Sequence, residues 1–189
     1  MKTVDEERFL RWLTDNGATF PKLRWPAVTP NGMRGVTTIQ DVPSGEPMLS
    51  IPRQLLISEE LCWRDPQLRP VFEDNRDIFT RDDPILALFL VREMVLGDRS
   101  FFYPYLSILP YPESVQDWTE DETHELHDDR LAEAAARRSA EIETYYHRVF
   151  TRLQEKYPDG NGMFRLYPSG ATSYVAGAEA FNSHQQESC

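Results

Sequence analysis

The residues that most clearly suggest a ligand site are two glycines that bound a short turn, Gly32-Met33-Arg34-Gly35. Glycine reaches positive φ without a Cβ penalty, so such a turn allows the main chain to come close to a ligand. Backbone N–H and C=O groups would then hold the ligand, and the side chains would matter less. The same spacing also occurs in hairpins that bind nothing. Taken alone, the turn favours a hairpin without a ligand, and the surrounding sequence has to decide whether a ligand binds there.

Other classes of site have weaker support. His124 and His127 lie three residues apart beside Asp128 and Asp129, but no Cys or further His stands close enough to complete a metal site. We therefore assign no metal. The chain has two cysteines, too few for a disulfide framework, and we expect Cys62 to be a buried free thiol in a reducing compartment. No phosphate-binding loop, serine elbow or Cys–His arrangement is present.

Composition excludes several classes of partner. A net charge of −11 argues against a nucleic-acid surface, which needs clustered Lys and Arg. The acidic surface either attracts a basic protein or simply maintains solubility, and we expect residues 117–129 to form a solvated acidic face. The longest apolar run, residues 84–91, is too short for a membrane span. The acidic start lacks the apolar segment of a secretory signal, and we expect a cytoplasmic or nuclear location.

The elements that would position the glycine turn are short strands after one helix. An apolar stripe predicts a helix over residues 4–15, which Asn16-Gly17 ends. Turn residues at 29–32 and 43–45 separate the following segments. The predicted strands are residues 23–28, 33–40, 47–51 and 55–57.

Helices dominate the rest of the predicted fold. Ser58 is an expected N-cap, and residues 67–75 are a predicted short helix. A buried helix follows, with Asp83 as its expected cap, Pro84 in its first position and Gly97 at its end. A long helix is predicted over residues 129–156. The fold class is therefore α+β, with segments 1–82, 83–164 and a poorly ordered tail, 165–189.

The order of motifs along residues 8–158 resembles the SET-domain protein methyltransferase family, in its Rubisco large-subunit methyltransferase-like branch. Three features carry the resemblance beyond the glycine turn: the helix end at Asn16-Gly17-Ala18, the Asp41-Val42-Pro43-Ser44-Gly45-Glu46 turn, and the Ile51-Pro52-Arg53 segment. A buried helix and the Tyr103-Pro104-Tyr105 segment follow in the family's order. Each motif is weak alone, and their order makes them specific.

The resemblance implies a cofactor and places it on the glycine turn. In the family this turn contacts S-adenosylmethionine mainly through backbone atoms, which on this chain assigns the cofactor to Gly32, Met33, Arg34 and Gly35. Many members have glycine where this chain has Met33, so a side chain is acceptable there only if its backbone makes the contact. For Arg34, simple exposure is an equal alternative.

The resemblance also implies a substrate, a lysine side chain on another protein. Residues from 83 onward match the family's helical insert on the substrate side. Phe101, Tyr103 and Tyr105 are therefore candidates to line a substrate channel. The alternative is that these aromatic residues pack the insert onto the sheet, which is the commoner use of such residues.

The family's catalytic Asn-His pair and tyrosine have no good match on this chain. Asn182-Ser183-His184 is a scrambled version, and Tyr167 and Tyr174 lie in a segment without strand patterning. We assign no catalytic residue and expect an N-terminal SET half whose C-terminal strands are missing, a truncated form.

Two functions follow from this expectation. One is a SET-type protein-lysine N-methyltransferase, and the other is an inactive fragment or isoform that binds a protein partner through exposed apolar surface. A plain helical interaction domain is a third interpretation.

Overall fold

The structure, a computed structural model of the 189-residue chain, describes residues 3–28, 31–110, 115 and 118–158. It has two compact units, Met1–Leu109 and Pro110–Cys189. These units are compact bodies and not family segments, so the predicted segment boundary at residues 82/83 stays a prediction. The proposed tail, residues 165–189, lies outside the described residues, as do Tyr167, Tyr174 and Cys189.

Helix α1 (Val4–Asp15) opens the first unit and has the predicted bounds. The Thr3 side chain accepts from the Glu6 N–H, and the Glu6 carboxylate accepts from the Thr3 N–H, which is a capping box. Gly17 follows with φ +88°, a left-handed conformation that glycine adopts without strain. The capping box therefore sets the start of α1, and the glycine that follows its last turn sets its end.

Strands β1 (Leu23–Val28) and β2 (Arg34–Thr38) form an antiparallel two-stranded sheet. Their register pairs Leu23 with Thr38 and Val28 with Arg34, and an irregularity lies between Arg24 and Ala27. The mixed α+β character that we predicted is confirmed in this coarse form.

The two further predicted strands are wrong. Residues 47–51 contribute one isolated bridge, in which Ser50 and Thr19 exchange backbone hydrogen bonds of 2.8 and 2.9 Å. Of residues 55–57, the first ends a 3₁₀ turn, Arg53–Leu55, and the other two lie in no strand. A strand needs a neighbouring strand with which to form hydrogen bonds. In the described part of the chain, Thr19 alone pairs with this region. Pro47 and Pro52, which bound the region, have no N–H to donate.

The helices of the first unit enclose its core. They are α2 (Glu59–Arg64), α3 (Leu68–Asp74), α4 (Asp82–Leu96) and α5 (Tyr103–Leu106), with a 3₁₀ turn at Gly97–Arg99. α2 packs against α3 and α4, and α5 packs against α1 and α4. Among the described residues of this unit, the most deeply buried apolar side chains are Cys62, Leu68, Phe72, Ile85, Leu88 and Phe89.

The starts and ends of these helices mostly follow the predicted chemistry. Ser58 caps α2 by accepting from the Leu61 N–H, and Gly97 ends α4 with φ +56°. The expectation that Asp83 caps α4 is wrong, because Arg81 is the N-cap residue and Asp83 instead forms a 2.7 Å ion pair with it. Pro84 still falls in the first turn, where a missing N–H breaks no helical bond.

The second unit contains α6 (Glu120–His124) and α7 (Asp129–Lys156), the latter with the predicted bounds. The Asp128 carboxylate accepts from the N–H groups of Arg130 and Leu131 at the start of α7. Val149, Phe150 and Leu153 are buried, whereas Leu131 and Ile142 are about half exposed.

None of the described helices combines the length and the apolarity that crossing a bilayer requires.

Candidate cofactor-binding turn

The glycine turn lies at the end of the β1–β2 hairpin. Gly32 has φ +80°, and Gly35 is paired with Ala27 within the sheet. Residues 29 and 30, on the other side of the turn, lie outside the described residues. Gly32, Met33, Arg34 and Gly35 are all exposed, and Met33 exposes 64% of its surface. The hairpin thus presents the predicted residues to solvent as one contiguous stretch, and their binding role stays a prediction.

The space beside both glycines is open. A Cβ added to Gly32 or to Gly35 would meet no heavy atom within 4 Å. Gly35 differs from Gly32 because its φ lies outside the left-handed region, so an L-amino acid would fit there without backbone strain. The main chain at Gly35 is therefore accessible, and nothing among the described residues requires glycine at this position.

Arg34 is 38% exposed but is engaged within the chain. Its Nη2 lies 2.6 Å from Oε1 of Glu6 on α1, and its guanidinium lies over the Trp25 ring, 4.7 Å from the ring centroid. Glu6 is only 12% exposed, and its second oxygen accepts from the Thr3 N–H at 2.8 Å. The turn is thus tied to the first helix through one side chain.

Sequence reasoning did not predict Glu6 and Trp25 as parts of this site. Glu6 looks like an ordinary acidic residue of a helix start, where it favours the helix dipole. Trp25 looks like a strand residue of the core. Neither carries a local pattern that points to Arg34, which lies 28 residues after Glu6, so the pairing is visible only in three dimensions.

The predicted substrate-side aromatic residues lie against α1. The Phe101 ring is 5.4 Å from Trp12, the Tyr105 ring is 6.0 Å from Phe9, and the Arg8 guanidinium is 5.4 Å from the Tyr103 ring. Phe9 in turn contacts Trp25 at 5.1 Å. These contacts favour a packing role.

A surface depression is nevertheless present next to two of these residues. It has a volume of about 370 Å³ and is open to solvent. Phe101 and Tyr103 line it with four other residues, whereas Tyr105 is not among the lining residues. The four others are Arg8, Asp98, Ser100 and Pro104. A substrate-binding role for Phe101, Tyr103 and Tyr105 stays a prediction.

A buried polar network holds the start of the aromatic segment. Ser100 Oγ donates to Glu93 Oε2 at 2.5 Å and accepts from the Phe102 N–H at 2.9 Å. Arg92 Nη2 contacts both Glu93 Oε1, at 2.5 Å, and Asp65 Oδ2, at 2.6 Å. We call these four side chains the Arg92 network; it connects the segment before α3, helix α4 and the segment before α5.

The remaining reactive side chains do not form a second site. Cys62 is buried as expected, and desolvation raises the pKa of its thiol to about 12. A thiol that keeps its proton at neutral pH is a poor nucleophile. Within the described part of the chain, no group of three His, Cys, Asp or Glu side chains could hold a metal ion.

Comparisons with known proteins agree with the geometry. No protein-family model matches the chain. A chloroplastic [fructose-bisphosphate aldolase]-lysine N-methyltransferase of Arabidopsis thaliana is 28% identical over 150 residues, which are 78% of this chain and 29% of that protein. The structure of Rubisco LSMT bound to sinefungin and monomethyllysine superposes with a TM-score of 0.67 at 20% identity, over 90% of this chain and 38% of that one. The fold of this chain is therefore similar to part of the Rubisco LSMT fold.

A second solved structure supports the same fold. The SET domain of LSMT bound to methyllysine and AdoHcy gives a TM-score of 0.66 at 20% identity, covering 87% of this chain and 36% of that one. The predicted resemblance to this SET branch is therefore confirmed. The chain spans less than two fifths of the length of these relatives. The SET fold here is a partial one.

Proposed function

We propose that this chain serves S-adenosylmethionine-dependent N-methylation of lysine side chains on proteins, and that it contributes the glycine-turn side of the cofactor site. The observation that carries the proposal is the open main chain at Gly32 and Gly35, on a hairpin of a SET fold. Solved neighbours of the same fold are complexes with AdoMet, AdoHcy or sinefungin. The relative in Arabidopsis thaliana is a protein-lysine N-methyltransferase.

The donor set at the turn fits such a cofactor. A bound S-adenosylmethionine supplies an electrophilic methyl group on a sulfonium. Backbone N–H and C=O groups next to Gly35 can hydrogen-bond its polar groups without a charged side chain opposite the sulfonium. Arg34, the one cation among the four turn residues, is held by Glu6 and by the Trp25 ring. The turn therefore binds and orients through its main chain.

The net charge of −11 supports a basic protein as the substrate. Long-range attraction to Lys-rich surfaces would raise the association rate and fall with ionic strength. The acceptor protein and the number of methyl groups transferred are open to experiment. We place the reaction in the cytoplasm or nucleus.

Substituting Gly35 tests the cofactor site directly. Because an added Cβ meets no described heavy atom within 4 Å, we expect Gly35→Ala to fold as wild type. The added methyl group would then interfere only with a ligand that approaches the main chain at this position. We expect titration calorimetry with S-adenosylmethionine to show binding by the wild-type chain and a loss of roughly tenfold or more in Gly35→Ala. Thr38→Ala, exposed on the same strand, is the matched control and should bind as wild type.

Two results of this titration would contradict the proposed cofactor site. Equal affinity in Gly35→Ala and wild type would place the cofactor elsewhere, and no binding by the wild-type chain would contradict the proposal for this chain. Transfer of labelled methyl groups to lysine in a basic protein extract tests the reaction itself.

The second candidate is a catalytically inactive form that acts as a protein-interaction module. It is favoured by the exposed apolar side chains around the hairpin, which suit a protein partner. Methyl transfer by the purified 189-residue chain would exclude it. Absence of both cofactor binding and transfer would favour it over the enzyme.

A further inference from the structure

We propose that Glu6 and Arg34 form a clamp that positions the turn at residues 32–35 for its ligand. The inference rests on the proposed function, since the ligand it serves is the S-adenosylmethionine proposed above. Arg34 is a positioning residue in this proposal. Its guanidinium acts through the backbone of the turn and not by contact with the cofactor.

The first step of the argument is that both oxygens of Glu6 are used. Oε1 accepts a hydrogen bond from Arg34 Nη2 at 2.6 Å, and Oε2 accepts one from the Thr3 N–H at 2.8 Å. The Glu6 side chain as a whole is only 12% exposed, so most of it is covered by the rest of the protein, whereas its carboxylate bonds lie at the surface. Charge-assisted hydrogen bonds are stronger than neutral ones.

The second step is that the guanidinium is held on a second side. Its Cζ lies 4.7 Å from the centroid of the Trp25 ring, a cation–π distance. The Trp25 ring packs against Phe9 of α1 at 5.1 Å. Arg34 thus has two anchors, and both belong to the contact between α1 and the hairpin.

The third step is that the clamp holds the first strand residue after the flexible part of the turn. Arg34 and Gly35 belong to β2 and pair with β1, whereas Gly32, just before the strand, has the backbone freedom of glycine. A main chain that is free in solution must lose that freedom when it binds, which weakens affinity. A clamp on Arg34 removes part of that freedom beforehand.

An alternative use of Arg34 is direct recognition of the carboxylate of the cofactor. In that case Arg34 would have to leave Glu6, and the two residues would compete. A clamp predicts the opposite relation, because Glu6 acts on the turn only through Arg34, so its loss adds nothing once Arg34 is replaced. Double substitutions distinguish these two cases.

The test compares Glu6→Gln, Arg34→Gln and the double variant in the full chain. Glutamine at position 6 keeps an oxygen for the Thr3 N–H, so the start of α1 is preserved. Asp5→Asn is the matched control, since Asp5 pairs with Arg8 at 3.1 Å on the same helical turn and does not touch the hairpin. The readouts are amide hydrogen exchange over residues 31–38 without ligand, the Kd for S-adenosylmethionine, and the melting temperature.

We expect exchange over residues 31–38 to accelerate in both single variants and no further in the double variant. The Kd should rise by about 5- to 30-fold in all three variants, with little change in melting temperature and none in Asp5→Asn. A Kd that rises in Arg34→Gln but not in Glu6→Gln would overturn the clamp and assign Arg34 to the cofactor. Unchanged exchange in the single variants would overturn it as well.

Failure of the proposed function is a separate outcome. If the wild-type chain binds no S-adenosylmethionine, the cofactor role of the turn fails. Faster exchange in both single variants would then still support a clamped turn, whereas unchanged exchange would remove the clamp too. Binding that persists equally in all variants would contradict the clamp alone.

Discussion

At the scale of single residues, the Arg92 network contains the most deeply buried ion pairs among the described residues of the first unit. Asp65, Arg92 and Glu93 have side chains that are only 13%, 11% and 4% exposed. Two carboxylates therefore share one guanidinium away from bulk water. Breaking such an arrangement by removing one partner is costly, because the remaining charges stay buried.

Replacing Arg92 by methionine should destabilise the chain strongly. Methionine fills a similar volume but leaves the carboxylates of Asp65 and Glu93 without a counter-charge, which we expect to cost about 3–5 kcal/mol of the free energy of unfolding. Urea denaturation followed by circular dichroism measures this change. The Ser100–Phe102 segment should also lose order, since Ser100 Oγ depends on Glu93.

Arg69→Met is the matched control for this prediction. Arg69 pairs with Glu73 at 2.9 Å, but the two side chains are 61% and 41% exposed, so its loss should cost less than about 1 kcal/mol. Similar costs for the two variants would show that burial does not set the strength of the Arg92 network.

At the scale of elements, α1 is the helix that joins the two predicted halves of the site. Phe9 contacts Trp25 of the hairpin and Tyr105 of α5, and Trp12 contacts Phe101 and Phe102. The glycine turn and the aromatic segment are therefore both positioned by one helix. Contacts between aromatic rings, and not a direct backbone connection, hold the glycine turn and the aromatic segment in place relative to each other.

Phe9→Ala should loosen both neighbours of α1 together. The variant removes the ring that contacts Trp25 and Tyr105, and we expect a loss of about 2–4 kcal/mol in the free energy of unfolding. Hydrogen exchange should accelerate in residues 23–38 and 101–106 alike. Val4→Ala, at a 74% exposed position of the same helix, should change neither; a response confined to one of the two regions would show that α1 does not join them.

The helices were largely predictable from sequence because their limits are set by local chemistry. The stop at Asn16-Gly17, the Ser58 cap and Gly97 acted as the sequence predicted. Asp83 misled the prediction of the α4 start, since an Asp before Pro resembles a cap in one dimension. The predicted cap lies two residues after the observed one, Arg81, which is within the usual variation of assigned helix ends.

The strands and the site were less predictable because they depend on distant partners. Residues 47–51 have strand composition, but within the described part of the chain they pair only at Ser50 with Thr19. The turn at Gly32 was found from its glycines and motif order, whereas Glu6 and Trp25 entered the site through side-chain contacts that no local pattern encodes. Composition indicates which segments can pair, and three-dimensional packing decides which ones do.

At the scale of the whole molecule, high charge is combined with exposed apolar surface. Seven large apolar side chains between residues 28 and 56 are 49–70% exposed. We call them the apolar set: Val28, Met33, Val36, Ile39, Met48, Leu49 and Leu56. A two-stranded sheet gives limited stability in water, and surface of this kind promotes association. A net charge of −11 opposes association by mutual repulsion.

These two effects predict that salt will make the chain self-associate. Raising ionic strength from about 0.01 M to about 1 M shortens the screening length from about 30 Å to about 3 Å, which removes the repulsion and leaves the apolar attraction. Light scattering should therefore increase with salt. Val36→Thr combined with Leu49→Gln should suppress the increase, since both substitutions lower apolar exposure without changing net charge.

Val4→Thr distinguishes the apolar set from exposure in general. Val4 is 74% exposed on α1, outside the set, so its substitution should leave the salt response as in wild type. Association that falls as salt rises would mean that charge pairing holds the copies together. Equal suppression by Val4→Thr would mean that total apolar exposure, and not the surface around the hairpin, drives the contact.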